Sequence, residues 1–184
     1  ERGSLVRLLS ENDLQLDWRG FELHPETPPG GIRLDEYFPP DRLVGMAADM
    51  KDFAARFGID DFATRDRLPN THRALALAEV AREEGKLDTF RTRAMDAHWR
   101  DGLDLENDEH LAAIALDAGL PDDAVSRSKS DPRYLGAVDE LRSEANAIGV
   151  HGIPTFVLGR YVVTGCQPYE ILEDFARTAG AVKR

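Results

Sequence analysis

The sequence predicts an α/β fold in which strand-type segments near both ends frame a large all-helical insertion. Two observations predict it. Alternating apolar residues occur near the start (residues 14–24), two short apolar strands follow at 155–164, and between them apolar residues recur at helical spacing. Five of the ten prolines fall between residues 25 and 40, which marks a chain leaving a sheet. The resulting division is 1–38, then a helical insertion 39–148, then 149–184.

Taken in order, Leu5, Leu8 and Leu9 are helically spaced and Asn12 ends their segment. Leu14, Leu16 and Trp18 then alternate as in a half-buried strand. Gly20 breaks the phase as a bulge, and Phe21 and Leu23 resume it, with Trp18 and Phe21 read as core. Residues 41–57 carry an apolar stripe of Leu43, Ala47, Met50, Phe53, Ala54 and Phe57, stopped by Gly58. Residues 59–69 read as a polar connection. Asn70 caps a helix striped by Ala74, Leu75, Ala78 and Ala81 and ending at Gly85. Leu87, Phe90, Ala94 and Ala97 continue in another helix, with Trp99 near its end.

Asn107 caps the next helix, whose first-turn Asp108 and Glu109 suit the helix dipole. Its stripe is Leu111, Ile114, Ala115 and Ala118, closed by Gly119. A short helix over 121–129 precedes a long one over 131–148, with Tyr134, Val138, Leu141, Ala145 and Ile148 inward. Residues 155–158 and 161–164 make a hairpin around Gly159-Arg160. Pro168 opens a last helix with Ile171, Leu172 and Phe175 inward.

Charge and composition exclude some partners. Lys and Arg number 23 against 34 Asp and Glu, a net charge of −11, which repels phosphate backbones and anionic membrane surfaces. No apolar run approaches the roughly 20 residues of a membrane helix, and no signal peptide is visible. Nucleic acid and membrane are therefore not expected partners. One cysteine, Cys166, excludes an internal disulfide and a multi-thiolate metal site, and suits a reducing compartment, the cytoplasm, or simple indifference to redox state. His72, His98 and His110 show no metal-ligand spacing and read as surface or core-edge residues. The acidic stretch 101–109 reads as solvated faces and caps.

Three stretches carry a resemblance: Trp18-Arg-Gly-Phe-Glu-Leu-His-Pro25; Leu68-Pro-Asn-Thr71 with the Ala-rich helix to Gly85; and Gly149-Val-His-Gly-Ile-Pro-Thr-Phe-Val157 followed by Tyr161 and Gly165-Cys-Gln-Pro168. Together they resemble the bacterial DsbA-like family of thioredoxin-like proteins, and within it the FrnE-like branch. Pro154 taken alone also suits the start of an edge strand, where proline is tolerated. The resemblance implies instead a cis Ile153–Pro154 bond that leaves the Ile153 backbone to pair with an extended substrate. It implies that His151, Gly165 and Cys166 line the same corner and that Asn70 and Thr71 face the active-site groove. Taken by itself, Cys166 also suits a small buried hydrophobe, His151 a solvated loop residue, and Asn70 with Thr71 a helix cap.

The family's chemistry rests on a Cys-x-x-Cys pair that these residues do not include, so no catalytic residue is assigned here and the dithiol is expected upstream of Glu1. The resemblance implies a thiol–disulfide oxidoreductase acting on a protein thiol or disulfide, or on a small thiol, with no cofactor and no metal. The similar 2-hydroxychromene-2-carboxylate isomerases and kappa-class transferases imply an alternative, a glutathione-dependent isomerase or transferase. A third reading is a non-catalytic peptide-binding module. A strand supplied by a second copy would make a homodimer.

Overall fold

A computed structural model describes residues 2–56, 58–61, 63 and 65–184. Its contacts divide the chain into two compact units, Glu1–Arg19 with Glu144–Arg184, and Gly20–Ser143. Phe57, the last residue of the expected 41–57 stripe, lies outside the described residues.

The first unit is built from α1 (Arg2–Glu11), the β3–β4 hairpin (Thr155–Leu158 and Tyr161–Thr164) and α8 (Tyr169–Thr178). Apolar spacing explains its core: Leu5 and Leu8 of α1 are buried with Tyr169, Leu172 and Ala176 of α8, and Phe156, Leu158 and Val163 pack against them. The hairpin registers Phe156 opposite Val163 and Leu158 opposite Tyr161. With a period of two, the intervening pair Val157 and Val162 turns outward. Gly159 takes φ 60 at the first turn position, and Arg160 has no positive φ, the sign pattern of a type II′ turn. The chain end is tied back: the Asp13 N–H donates to Val182 O at 2.8 Å and the Arg184 N–H to Glu11 O at 3.0 Å. Ile171 is 46% exposed and not inward, because Leu172 and Ala176 hold the buried side of α8.

The second unit holds β1 (Ile32–Arg33), α2 (Pro40–Ala55), β2 (Arg67–Leu68), α3 (His72–Glu83), α4 (Leu87–Trp99), α5 (Asp108–Asp117), α6 (Ala124–Ser130) and most of α7 (Pro132–Ala147). Its core gathers Leu77, Val80, Phe90, Leu111, Ile114, Tyr134 and Val138. Asn107 caps α5 as expected, its side-chain oxygen accepting from the Glu109 and His110 N–H groups. Around α6, Arg127 donates to Glu84 at 2.6 Å and to the Tyr134 hydroxyl at 3.0 Å, and that hydroxyl donates to Glu83. These bonds satisfy the polar ends of three helices at the edge of the core.

Several expectations are corrected. Residues 14–24 form no strand; no ladder partner lies beside them among the described residues, and extended backbone without a partner is not a strand. The 59–69 connection contains β2, which pairs antiparallel with β1, Ile32 opposite Leu68. Among the described residues of the 41–57 stripe only Ala54 is buried, with Met50 and Phe53 each 43% exposed. Ile148 is exposed, because it follows the end of α7 and no longer shares the buried face of Tyr134 and Val138.

His98, at the end of α4, is buried, and burial followed by the nearby Arg65 charge pushes its pKa down to about 4. The unfolded imidazole binds a proton near its ordinary 6.5, the folded one only near 4. Stability is therefore full above about pH 6.5 and falls as pH drops through that window. Urea midpoints measured between pH 7 and 4.5 are expected to decline more steeply for the wild type than for His98→Asn; equal slopes would contradict this assignment.

Candidate functional site

The corner singled out in the sequence lies in the first unit. The chain leaves Gly149, passes the exposed His151 and enters a cis Ile153–Pro154 bond just before β3. The Gly165 N–H, immediately after β4, donates to Pro154 O at 2.8 Å, which joins the two ends of the hairpin. Thr155 Oγ1 donates to Gly152 O at 2.7 Å and lies 3.1 Å from Thr164 Oγ1. Gln167 Nε2 donates to Thr164 O at 2.7 Å. These bonds fix Gly152, Pro154, Thr155, Thr164 and Gly165 as one frame, with the half-buried Cys166 as the next residue. Inside this frame Ile153 is 54% exposed, and among the described residues neither its N–H nor its C=O has a hydrogen-bond partner. An exposed main-chain donor and acceptor beside a hairpin is a template for an added strand.

Asn70 and Thr71 lie in the second unit, at the start of α3. Thr71 occupies the capping position by its backbone, and the capping bond comes from Asn70, whose Oδ1 accepts the His72 N–H at 2.9 Å. The Asn70 side-chain amide donates to Thr27 O at 2.6 Å, and its main-chain N–H to Glu106 Oε1 at 2.8 Å. Glu106 also accepts the Gly30 N–H at 2.6 Å. Asn70 and Glu106 thus pin the proline-rich loop to the start of α3. Gly31 is required there: it has φ 70, and a Cβ would sit 2.6 Å from Leu68 O.

Two carboxylates in this region escaped the sequence reading. Glu106 belongs to the stretch expected to be solvated, yet it is half-buried by the bonds just described. A strand phased on Phe21 and Leu23 would turn Glu22 outward. Glu22 is instead 3% exposed while Leu23 is 41% exposed. Without a ladder no pleat sets the phase, and the buried carboxylate is compensated by Arg142 Nη1 at 2.7 Å and His72 Nδ1 at 3.2 Å. The sequence signal was a single acid between Phe21 and Leu23. Among the described residues no group of three or more His, Cys, Asp or Glu is arranged to hold a metal ion, and no helix is long and apolar enough to cross a membrane.

The chain was compared with known proteins. A family model described as a DSBA-like thioredoxin domain matches residues 3–176. A 2-hydroxychromene-2-carboxylate isomerase of Sphingobium xenophagum is 25% identical over 155 residues, covering 82% of this chain and 78% of its own. The structure of a "probable DsbA oxidoreductase" of Streptomyces coelicolor superposes with TM-score 0.83 at 24% identity, covering 97% of this chain and 82% of that one. A Nitrosomonas europaea protein provisionally named a protein disulfide isomerase gives TM-score 0.62 at 18% identity over 77% of this chain and 74% of its own. The fold is accordingly thioredoxin-like, of the DsbA type, with a helical insertion.

Proposed function

The chain belongs to the DSBA-like thioredoxin domain family, and from that premise we propose that it holds an extended protein thiol or disulfide substrate at the Ile153–Pro154 corner, as the substrate-binding part of a thiol–disulfide oxidoreductase. The observation that carries this reading is the Ile153 main chain, exposed and without an internal partner among the described residues. A substrate segment laid against it accepts the Ile153 N–H and donates to the Ile153 C=O, so affinity comes from main-chain bonds and tolerates varied side chains. His151, Gly165 and Cys166 line the same corner, and for Asn70 and Thr71, at the start of α3, a binding role is proposed separately. The chemistry served is attack of a thiolate on a disulfide through a mixed disulfide. The FrnE-like branch, a reducing bacterial cytoplasm, an inserted 39–148 subdomain and a homodimer complete the proposal.

Fluorescence anisotropy with an unfolded, cysteine-alkylated peptide tests it. Replacing the peptide N–H that donates to the Ile153 C=O by an N-methyl group is expected to weaken binding by about fivefold, since one hydrogen bond contributes about 1 kcal/mol. Equal binding of the methylated peptide would contradict main-chain recognition.

The isomerase relative favours a second reading, a glutathione-dependent isomerase or transferase. Insulin reduction with dithiothreitol set against glutathione conjugation separates the two: turnover only in the second assay would displace the first reading.

A further inference from the structure

The Glu22–His72–Arg142 cluster is a buried titratable group that the corner does not use, and its geometry is specific. A carboxylate only accepts hydrogen bonds, so at 3.2 Å His72 Nδ1 donates to Glu22. In the neutral ring this places the hydrogen on Nδ1 and leaves the lone pair on Nε2, for which no partner exists among the described residues. The His72 side chain keeps 24% of its surface exposed while Glu22 keeps 3%. Glu22 is itself held by Arg142 Nη1 at 2.7 Å, and Arg142 is held by Asp139 at 2.8 Å. Asn70 fixes the backbone of His72 at 2.9 Å. A buried carboxylate that orients an accessible imidazole, with its own orientation secured, is the arrangement that makes a histidine a proton acceptor.

We propose that His72 is a proton-transfer residue for a small thiol, with Glu22 as its positioning residue. The substrate class follows from acidity. A thiol, near pKa 8.5, keeps its proton at neutral pH and is acidic enough to yield it to a neighbouring base. Alcohols are far weaker acids, and carboxylic acids are already ionised and meet a chain of net charge −11. In the step, the S–H bond breaks, an Nε2–H bond forms, and both electrons stay on sulfur. Glu22 compensates the imidazolium, and the proton later returns to product or solvent. No oxidant or reductant is needed. The inference rests on the thiol chemistry proposed above, but not on the peptide corner.

The test is nitrogen-15 NMR of the histidine rings in the full chain, with dithiothreitol as the probe. The expected result is an Nδ1–H tautomer for His72 and a saturable shift of Nε2 as dithiothreitol is added. Glu22→Gln should keep the fold, mix the tautomers and reduce the dithiothreitol response several-fold. His72→Asn should remove a saturable dithiothreitol effect on the Asn70 and Arg73 amides. An Nε2–H tautomer in the wild type, or no dithiothreitol response at millimolar concentration, would overturn the proposal. Peptide anisotropy on the same samples separates the readings. A thiol response without peptide binding supports the His72 proposal and defeats only the corner. Peptide binding without a thiol response defeats only the His72 proposal.

Discussion

Phe90→Ala is expected to destabilise the protein by about 3–5 kcal/mol, read as a lower urea midpoint at unchanged slope. Phe90 is 2% exposed and sits in the core of the helical unit with Leu77, Val80 and Leu111. Removing the ring loses its transfer free energy and leaves a cavity, because helices anchored by caps and ion pairs close only partly around it. Phe90→Leu keeps most of the volume and should cost about 1–1.5 kcal/mol. A loss under 1 kcal/mol for Phe90→Ala would mean that the unit collapses freely and that its core is poorly packed.

Glu22→Ala should cost about 2–3 kcal/mol by the same measurement. Breaking a fully buried ion pair typically costs 3–5 kcal/mol, because the surviving charge is left without compensation. Here the survivor is only partly buried: Arg142 keeps 28% side-chain exposure and its bond to Asp139, so water recovers part of the loss. The double variant Glu22→Leu with Arg142→Met is expected to recover most of the stability, since an apolar pair of similar size avoids the desolvation cost. If the double variant were no more stable than Glu22→Ala, the cluster would not act as a pair.

The helices were legible because their signals are local. Caps such as Asn107, stops such as Gly119 and apolar spacing in α5 lie within a few residues of one another, and the structure follows them closely. The hairpin was legible for the same reason, through Gly159-Arg160 between two β-rich runs. The failures at residues 14–24, Glu22 and Glu106 share one cause, a partner far away in sequence. Residues 14–24 have the alternation of a strand but no ladder neighbour among the described residues, so their phase carried no information about the burial of Glu22. The compensating Arg142 stands 120 residues later. Glu106 likewise meets Gly30 and Asn70 only through the fold. The Ile153–Pro154 corner was found by resemblance; its hydrogen-bonded frame could not be read from spacing.

The central claim is that the Ile153 backbone receives an extended substrate. Amide-resolved NMR of the full chain, titrated with an unfolded, cysteine-alkylated peptide, tests it most directly. The Ile153 amide is expected to shift downfield as a new hydrogen bond forms and to gain protection from exchange, with smaller effects at Thr155 and Gly165. Binding that leaves the Ile153 amide unmoved while shifting residues elsewhere would contradict the account.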